Sequence, residues 1–283
     1  MDRVRIDDVE LEYEVIGSGE PVLLIGHVVA DAMVPLTTQP ALSDYQLIRY
    51  RRRGYGGSTH TPPPVTVARH AADAAALVEQ LGLSPAHVVG GSAGGCVALQ
   101  LAFDHPETVA SLVLLEPSLL TLPAAQAVLA KAAPALEAYA DGRAADAVSM
   151  FFSAVTGLDR EQCKTVLEAN LPNVMSAAVD DADTLFGVEL PSLLAWSLGT
   201  AEAAAVDVPV LSVVGSETDR LWCDVAALLR VCLPDVEDCT VDGVGHFLQL
   251  EDPEPVARVI GAFLARHPIT TTTAPAAAGA TTG

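Results

Sequence analysis

Short apolar runs recur along the chain and alternate with longer stretches that have helical periodicity. These nearly all-apolar runs cover residues 22–25, 87–89, 109–115 and 208–214. Strands that are apolar throughout are buried on both faces, as they are in a parallel sheet. The stretches with Ala and Leu at helical spacing cover residues 67–81, 94–103 and 255–265. This alternation predicts an α/β fold built on a doubly wound, mostly parallel sheet.

One long segment breaks the alternation. Residues 117–207 are rich in Ala and Leu, show helical periodicity and contain no clear strand. They predict a helical cap inserted into a core that comprises residues 1–116 and 208–267. Residues 268–283 carry six Thr, five Ala and no charge. Such a run has too little large apolar surface to offset the entropy of ordering it, so we expect a disordered tail.

Composition limits the classes of partner. Apolar residues make up 51% of the chain and charged residues 18%, which is typical of a packed globular protein. The net charge of −21 repels phosphate backbones and anionic lipids, so we expect neither nucleic acid nor membrane partners. The five cysteines form no CxxC pair, and the first residues lack the apolar region of a secretory signal. We therefore expect reduced thiols and a cytoplasmic location.

A candidate nucleophile lies in the segment Gly-Gly-Ser-Ala-Gly at residues 90–94, which fits the pattern G-x-S-x-G around Ser92. The segment follows the apolar run at His87 and opens the helical stretch near Gly94. A nucleophile elbow requires this strand–turn–helix setting, because the sharp turn lifts the serine oxygen clear of the sheet. The sequence therefore predicts Ser92 as a nucleophile.

A serine hydroxyl needs a base within hydrogen-bond reach, and that base needs a carboxylate to orient it. His246 lies in a turn before the last helix, where a loop histidine reaches the carboxyl edge of the sheet. Four other histidines are expected to be solvated because they lie in polar loops or on helix surfaces, namely His60, His70, His105 and His267.

Two carboxylates compete for the orienting role. Asp219 lies in the loop after the strand that ends at Val214. Glu116 ends an apolar strand, where a carboxylate without a partner is costly to bury. The residues alone leave both candidates open, and Glu116 could also be a structural residue at the start of the insertion.

These motifs together resemble the α/β-hydrolase fold enzymes. The resemblance covers residues 5–267 outside the insertion. The matching pieces are Gly17-Ser18-Gly19, Arg53 to Ser58, the elbow at Ser92, His105-Pro106-Glu107 and Gly245 to Glu251. It implies Ser92 as the nucleophile and His246 as the base, in the chain order serine, acid, histidine.

The chain departs from the family pattern at two places. Ile25-Gly26-His27 replaces the usual His-Gly, so the oxyanion would be held by the backbone N–H of Ala93 with that of His27 or Val28. We expect the His27 side chain at the pocket rim. The usual acid loop has Thr218 where the family has Asp. A subset that includes zearalenone lactonases and pancreatic-type lipases places the acid at the end of the strand after the nucleophile, which favours Glu116 over Asp219.

The sequence therefore predicts a serine hydrolase that cleaves a carboxylic ester or lactone of an apolar small molecule. Trp196, Trp222 and Phe247 are candidates for the substrate pocket. The same three groups could instead run perhydrolysis, C–C bond hydrolysis or acyl transfer, and a non-catalytic ligand-binding protein is the rival from another class. We expect no metal and no other cofactor, because no metal-ligand or nucleotide motif is present. The oligomeric state is left open.

Overall fold

The computed structural model describes residues 1–269. Its eight strands are β1 (Asp2–Ile6), β2 (Val9–Gly17), β3 (Glu20–Ile25), β4 (Tyr45–Tyr50), β5 (Ala86–Gly91), β6 (Val109–Leu115), β7 (Val210–Gly215) and β8 (Val236–Val241). They form one sheet in the order β1-β2-β4-β3-β5-β6-β7-β8. The first two pairings are antiparallel and the others are parallel. The predicted α/β fold with a mostly parallel sheet is confirmed.

Twelve α-helices accompany the sheet in this part of the chain. They are α1 (Val67–Gln80), α2 (Ala93–Asp104), α3 (Ala125–Ala140), α4 (Ala144–Thr156), α5 (Arg160–Asn170), α6 (Val174–Asp180), α7 (Ala182–Thr184), α8 (Leu190–Ala195), α9 (Thr200–Ala204), α10 (Arg220–Cys232), α11 (Leu248–Glu251) and α12 (Pro253–Leu264). A π-helical turn, Leu185–Glu189, joins α7 to α8. Three short 3₁₀ turns cover Val34–Thr38, Pro40–Leu42 and Pro106–Thr108. None of the helices within residues 1–269 is long and apolar enough to cross a membrane.

The chain between β6 and β7 contains α3 to α9 and no strand. We call residues 117–207 the inserted segment. The predicted tail, residues 268–283, lies outside the described residues except for its first two.

The sheet is buried on both faces, as its apolar strands predict. Along β3, Leu23 and Ile25 belong to one hydrophobic cluster, and Val22 and Leu24 belong to the other. The alternation follows the two-residue period of a strand. Because the six strands from β4 to β8 in the sheet order run parallel, their carboxyl ends meet at one edge. The loops at that edge carry the candidate site.

His70 is buried, whereas the sequence predicted a solvated histidine in a polar loop or on a helix surface. It lies in α1, is 1% exposed, and neither of its ring nitrogens has a hydrogen-bond partner. The apolar face of α1 packs into the larger cluster, and helical spacing puts His70 on that face beside Ala71 and Ala74. Burial lowers the pKa of His70 well below its usual value of 6.5, with smaller contributions from Arg52 and Arg53.

We expect the substitution His70→Leu to stabilise the protein, and to do so more at acidic pH. Below pH 6.5 the unfolded chain binds a proton at His70 that the folded chain excludes. The free energy of unfolding therefore falls by up to about 1.4 kcal/mol per pH unit. Chemical denaturation at pH 7.5 and pH 5.5 measures the effect. The exposed His60 provides the control variant His60→Leu. Equal pH dependence in wild type and His70→Leu would contradict the prediction.

Candidate active site

Ser92 stands at a sharp turn between β5 and α2. Its φ of 51° lies in the left-handed region, which a residue with a side chain rarely adopts. Hydrogen bonds hold this strained turn, because the Ser92 N–H donates to Leu115 at 2.9 Å and its carbonyl accepts from Gly95 at 3.0 Å. The close approach requires small residues. A Cβ on Gly94 would lie 2.2 Å from the carbonyl oxygen of Ile25.

His246 lies within hydrogen-bond distance of both Ser92 and Glu116. Its Nε2 is 3.0 Å from Oγ of Ser92, and its Nδ1 is 2.7 Å from Oε2 of Glu116. All three side chains are buried. Burial lowers the pKa of His246 well below its usual range. The imidazole is therefore neutral at pH 7, in the form that accepts a proton from a serine hydroxyl.

Glu116 is held by donors from the next strand and loop. Its Oε1 accepts from the N–H of Gly215 at 2.8 Å, and its Oε2 accepts from the Thr218 hydroxyl at 2.9 Å. Burial raises the pKa of Glu116 above its usual value, and these two hydrogen bonds oppose the rise because they favour the carboxylate. Its φ of 48° is left-handed, as at Ser92. The structure thus gives this buried carboxyl a complete set of partners.

Asp219 lies outside this chain of hydrogen bonds. Its side chain begins α10 by accepting from the N–H of Leu221 at 3.2 Å. It also accepts from Lys131 of the inserted segment at 2.9 Å, and this hydrogen bond holds the pKa of Asp219 below its usual value. Asp219 therefore serves as a helix cap and ion-pair partner in this structure.

An apolar pocket with a volume of about 30 Å³ opens onto Ser92 and His246. Most of its wall comes from the inserted segment. Besides Ser92 and His246, the pocket is lined by Val28, Ser118, Leu120, Val128, Leu129, Ala132, Phe151, Val155, Leu185, Leu190, Leu193, Trp222 and Phe247. Trp222 and Phe247, two of the three residues predicted for the substrate pocket, both line it. The ring of Trp222 stacks on the imidazole of His246 with 3.6 Å between centroids.

Trp196 is the predicted pocket residue that the structure places elsewhere. Its indole N–H donates to Gln100 at 2.7 Å, and its ring lines a separate surface groove beside Pro63 and Pro191. The helix α8 ends at Ala195, so Trp196 leaves the wall that Leu190 and Leu193 form. Because Trp196 lies beyond the end of α8 in an extended conformation, helical periodicity does not describe its position.

The backbone supplies the candidate oxyanion donors. Within residues 1–269, the N–H groups of Ala93, His27 and Val28 donate no hydrogen bond to the protein. The side chain of His27 does not lie at the pocket rim, which corrects the sequence analysis. It is 1% exposed, packs against Gly91, and has its Nε2 2.7 Å from the amide nitrogen of Gln249. Burial lowers the pKa of His27, so the ring is neutral.

A family model described as alpha/beta hydrolase fold matches residues 34–253, which is more than half of the chain. The chain belongs to the alpha/beta hydrolase fold family. Among curated proteins, this alpha/beta hydrolase is similar to a putative carbamate hydrolase, RutD, from Caulobacter vibrioides, with 38% identity over 126 residues. That match spans 40% of this chain and 45% of the relative, less than half the length of either protein.

Two solved structures share this fold. An esterase from Thermogutta terrifontis has a TM-score of 0.77 at 21% identity, covering 95% of this chain and 100% of that one. An N-acyl homoserine lactone degrading enzyme has a TM-score of 0.72 at 24% identity, covering 93% and 100%. At these identities the two structures show a shared fold alone.

Ser118 is a site residue of this alpha/beta hydrolase that the sequence analysis missed. Its Oγ lies 2.8 Å from Oγ of Ser92, and its N–H donates to the Ser92 carbonyl at 3.1 Å. It follows Glu116 by two residues, at the same edge of the sheet as the nucleophile. That position was the only signal in the sequence that could have found it.

Within residues 1–269, no cluster of three or more His, Cys, Asp or Glu side chains could hold a metal ion.

Proposed function

We propose that this alpha/beta hydrolase is a serine hydrolase that cleaves a carboxylic ester or lactone of an apolar small molecule. The observation that carries the proposal is the buried hydrogen-bonded chain Ser92–His246–Glu116, which opens onto an apolar pocket. The combination is the arrangement that activates a serine hydroxyl. The support for a small apolar substrate is that Ser92, Ser118 and His246 are the main polar groups among the lining side chains.

The proposed mechanism has two successive half-reactions. Ser92 Oγ attacks the carbonyl carbon while Nε2 of His246 takes its proton, and Glu116 stabilises the imidazolium that forms. The N–H of Ala93, with that of His27 or Val28, holds the oxyanion. His246 then gives the proton to the leaving alkoxide. In the second half-reaction His246 deprotonates water, which attacks the acyl-enzyme and releases the acid and free Ser92.

The size of the pocket bears on the substrate. About 30 Å³ of free volume holds only one or two water molecules, so an ester requires its walls to move apart. Most of the wall is contributed by side chains of the inserted segment, including Leu190 and Leu193. We propose that this segment adjusts to the acyl or alcohol group and thereby sets the substrate preference.

The test is intact-mass analysis after treatment with a fluorophosphonate, followed by kinetics on a substrate panel. We expect one phosphonyl adduct, located at Ser92 by peptide mapping. The panel pairs p-nitrophenyl esters of increasing acyl length with a lactone and with a carbamate of the same alcohol, since one relative is a putative carbamate hydrolase. Faster turnover of the ester or lactone than of the carbamate supports the proposal.

A protein that takes up no phosphonate and hydrolyses no member of the panel would contradict the proposal and favour a non-catalytic binding role.

The cytoplasmic location expected from the cysteine pattern belongs to the same proposal. Cys96 and Cys163, which are buried and unpaired, are compatible with it.

A further inference from the structure

Arg52 is a buried cation that the proposed mechanism does not use. It follows β4 and is 3% exposed. Its Nη2 donates to the carbonyl oxygen of His27 at 2.8 Å, and its Nη1 donates to Oε2 of Glu189 at 2.5 Å. Glu189 also accepts from the hydroxyl of Tyr55 at 3.1 Å. A buried guanidinium is tolerated only when it is paired and hydrogen-bonded, so these contacts fix its position closely.

The carbonyl that Arg52 binds belongs to the segment with the two alternative oxyanion donors. The His27 carbonyl and the Val28 N–H share one planar peptide unit. A charged donor fixed on the His27 carbonyl therefore restricts the orientation of the Val28 N–H. It also polarises the peptide unit, which makes the Val28 N–H a stronger donor.

Glu189 connects the same guanidinium to the inserted segment. It is the last residue of the π-helical turn and is fully buried, with a side chain that is 1% exposed. The first residue of that turn, Leu185, and the residue after Glu189, Leu190, both line the pocket. One guanidinium thus links the pocket wall to the oxyanion segment.

We propose that Arg52 is a positioning residue that aligns the oxyanion-binding N–H of the His27–Val28 segment, and that Glu189 holds Arg52 in place. The oxyanion site is then complete only while the inserted segment is packed on the core. The proposal rests on the proposed serine-hydrolase function. Because the N–H groups act on a charge that develops in the transition state, Arg52 affects kcat and leaves substrate binding nearly unchanged.

The variant Arg52→Lys tests the proposal. Lysine keeps the positive charge but cannot present two N–H groups in the fixed fork that reaches His27 and Glu189 together. We expect kcat on the best ester to fall about 10- to 100-fold with KM within about threefold of wild type. Affinity for phenylboronic acid, whose tetrahedral adduct with Ser92 occupies the oxyanion site, should weaken in the same proportion as kcat.

The matched control is Arg53→Lys. Arg53 is also buried and binds Asp73 through two nitrogens at 2.6 and 2.8 Å, but it does not contact His27. We expect this variant to lower the melting temperature and to keep kcat within about threefold of wild type. The double variant Arg52→Met/Glu189→Leu guards against misfolding, since it leaves no unpaired buried charge. It should fold and retain the low kcat, because it lacks the donor to His27.

Normal kcat and normal boronate affinity in Arg52→Lys and in the double variant would overturn the proposal. So would an equal loss of kcat in Arg53→Lys, since the effect would then follow general destabilisation. The kcat and the boronate affinity of each variant are compared with those of wild type. Fluorophosphonate labelling of wild type tests the serine-hydrolase function separately. Absence of labelling in the wild type would overturn the serine-hydrolase function, and with it this inference.

Discussion

Ser92→Ala should lower kcat on any ester substrate by at least about a thousandfold. Removing the nucleophile from a serine–histidine–acid set leaves only the contributions of the oxyanion donors and of substrate binding. The structure gives this expectation a geometric basis, because the Ser92 hydroxyl lies 3.0 Å from the Nε2 of a neutral His246. Steady-state kinetics on the best ester of the panel measures the loss, and the fluorophosphonate adduct should disappear with it.

Ser118→Ala is the matched control for this prediction. Ser118 is the other serine of the pocket, and its hydroxyl lies 2.8 Å from that of Ser92. We expect Ser118→Ala to keep its phosphonate labelling and to stay within about tenfold of wild-type kcat. Ordinary turnover by Ser92→Ala, or transfer of the essential role to Ser118, would exclude Ser92 as the acyl acceptor.

Glu116→Gln should reduce kcat by at least about a hundredfold, whereas Asp219→Asn should stay within about tenfold of wild type. The glutamine side chain keeps the size of glutamate but lacks the charge that stabilises the imidazolium of His246. Asp219 caps α10 and pairs with Lys131, so its amide variant loses an ion pair that is far less buried. Kinetics of the two variants side by side give the result.

Folding of both variants can be checked by their melting temperatures. Loss of the Asp219–Lys131 pair should cost little stability, since Lys131 is half exposed. If Asp219→Asn is the crippled enzyme and Glu116→Gln is nearly normal, Glu116 is structural and the acid belongs to the loop after β7.

The sequence predicted the parallel sheet because burial on both faces leaves a local mark. Residues 109–115 are apolar except for Ser111 and form β6 over the same range. The predicted run 208–214 starts two residues before β7, which begins at Val210 and ends at Gly215. His70 shows where the local pattern fails. A polar residue in a helix is expected to face water, whereas the spacing of His70 from Ala74 places it on the face of α1 that packs against the core.

Candidate site residues could be predicted where they form a motif of consecutive residues. They could not be predicted where their position depends on contacts between residues far apart in the sequence. The nucleophile elbow is written in consecutive residues around Ser92, and the structure places the turn there. The sequence left Glu116 and Asp219 open as acids, because it does not state which carboxylate lies beside the Nδ1 of His246. Trp196 was wrongly predicted to line the pocket, because it lies beyond a helix end and outside the pocket wall. Ser118 was not predicted, because it reaches the pocket through a turn.

The indole of Trp222 lies flat against the imidazole of His246, with an angle of 6° between the two planes. It is one of only two tryptophans in the chain, and the other, Trp196, lies away from the pocket. The site therefore carries its own fluorophore. Replacing Trp196 by Phe leaves a single tryptophan, which is in contact with the imidazole of His246, so ligand entry or protonation of that ring can be followed by fluorescence without an added dye.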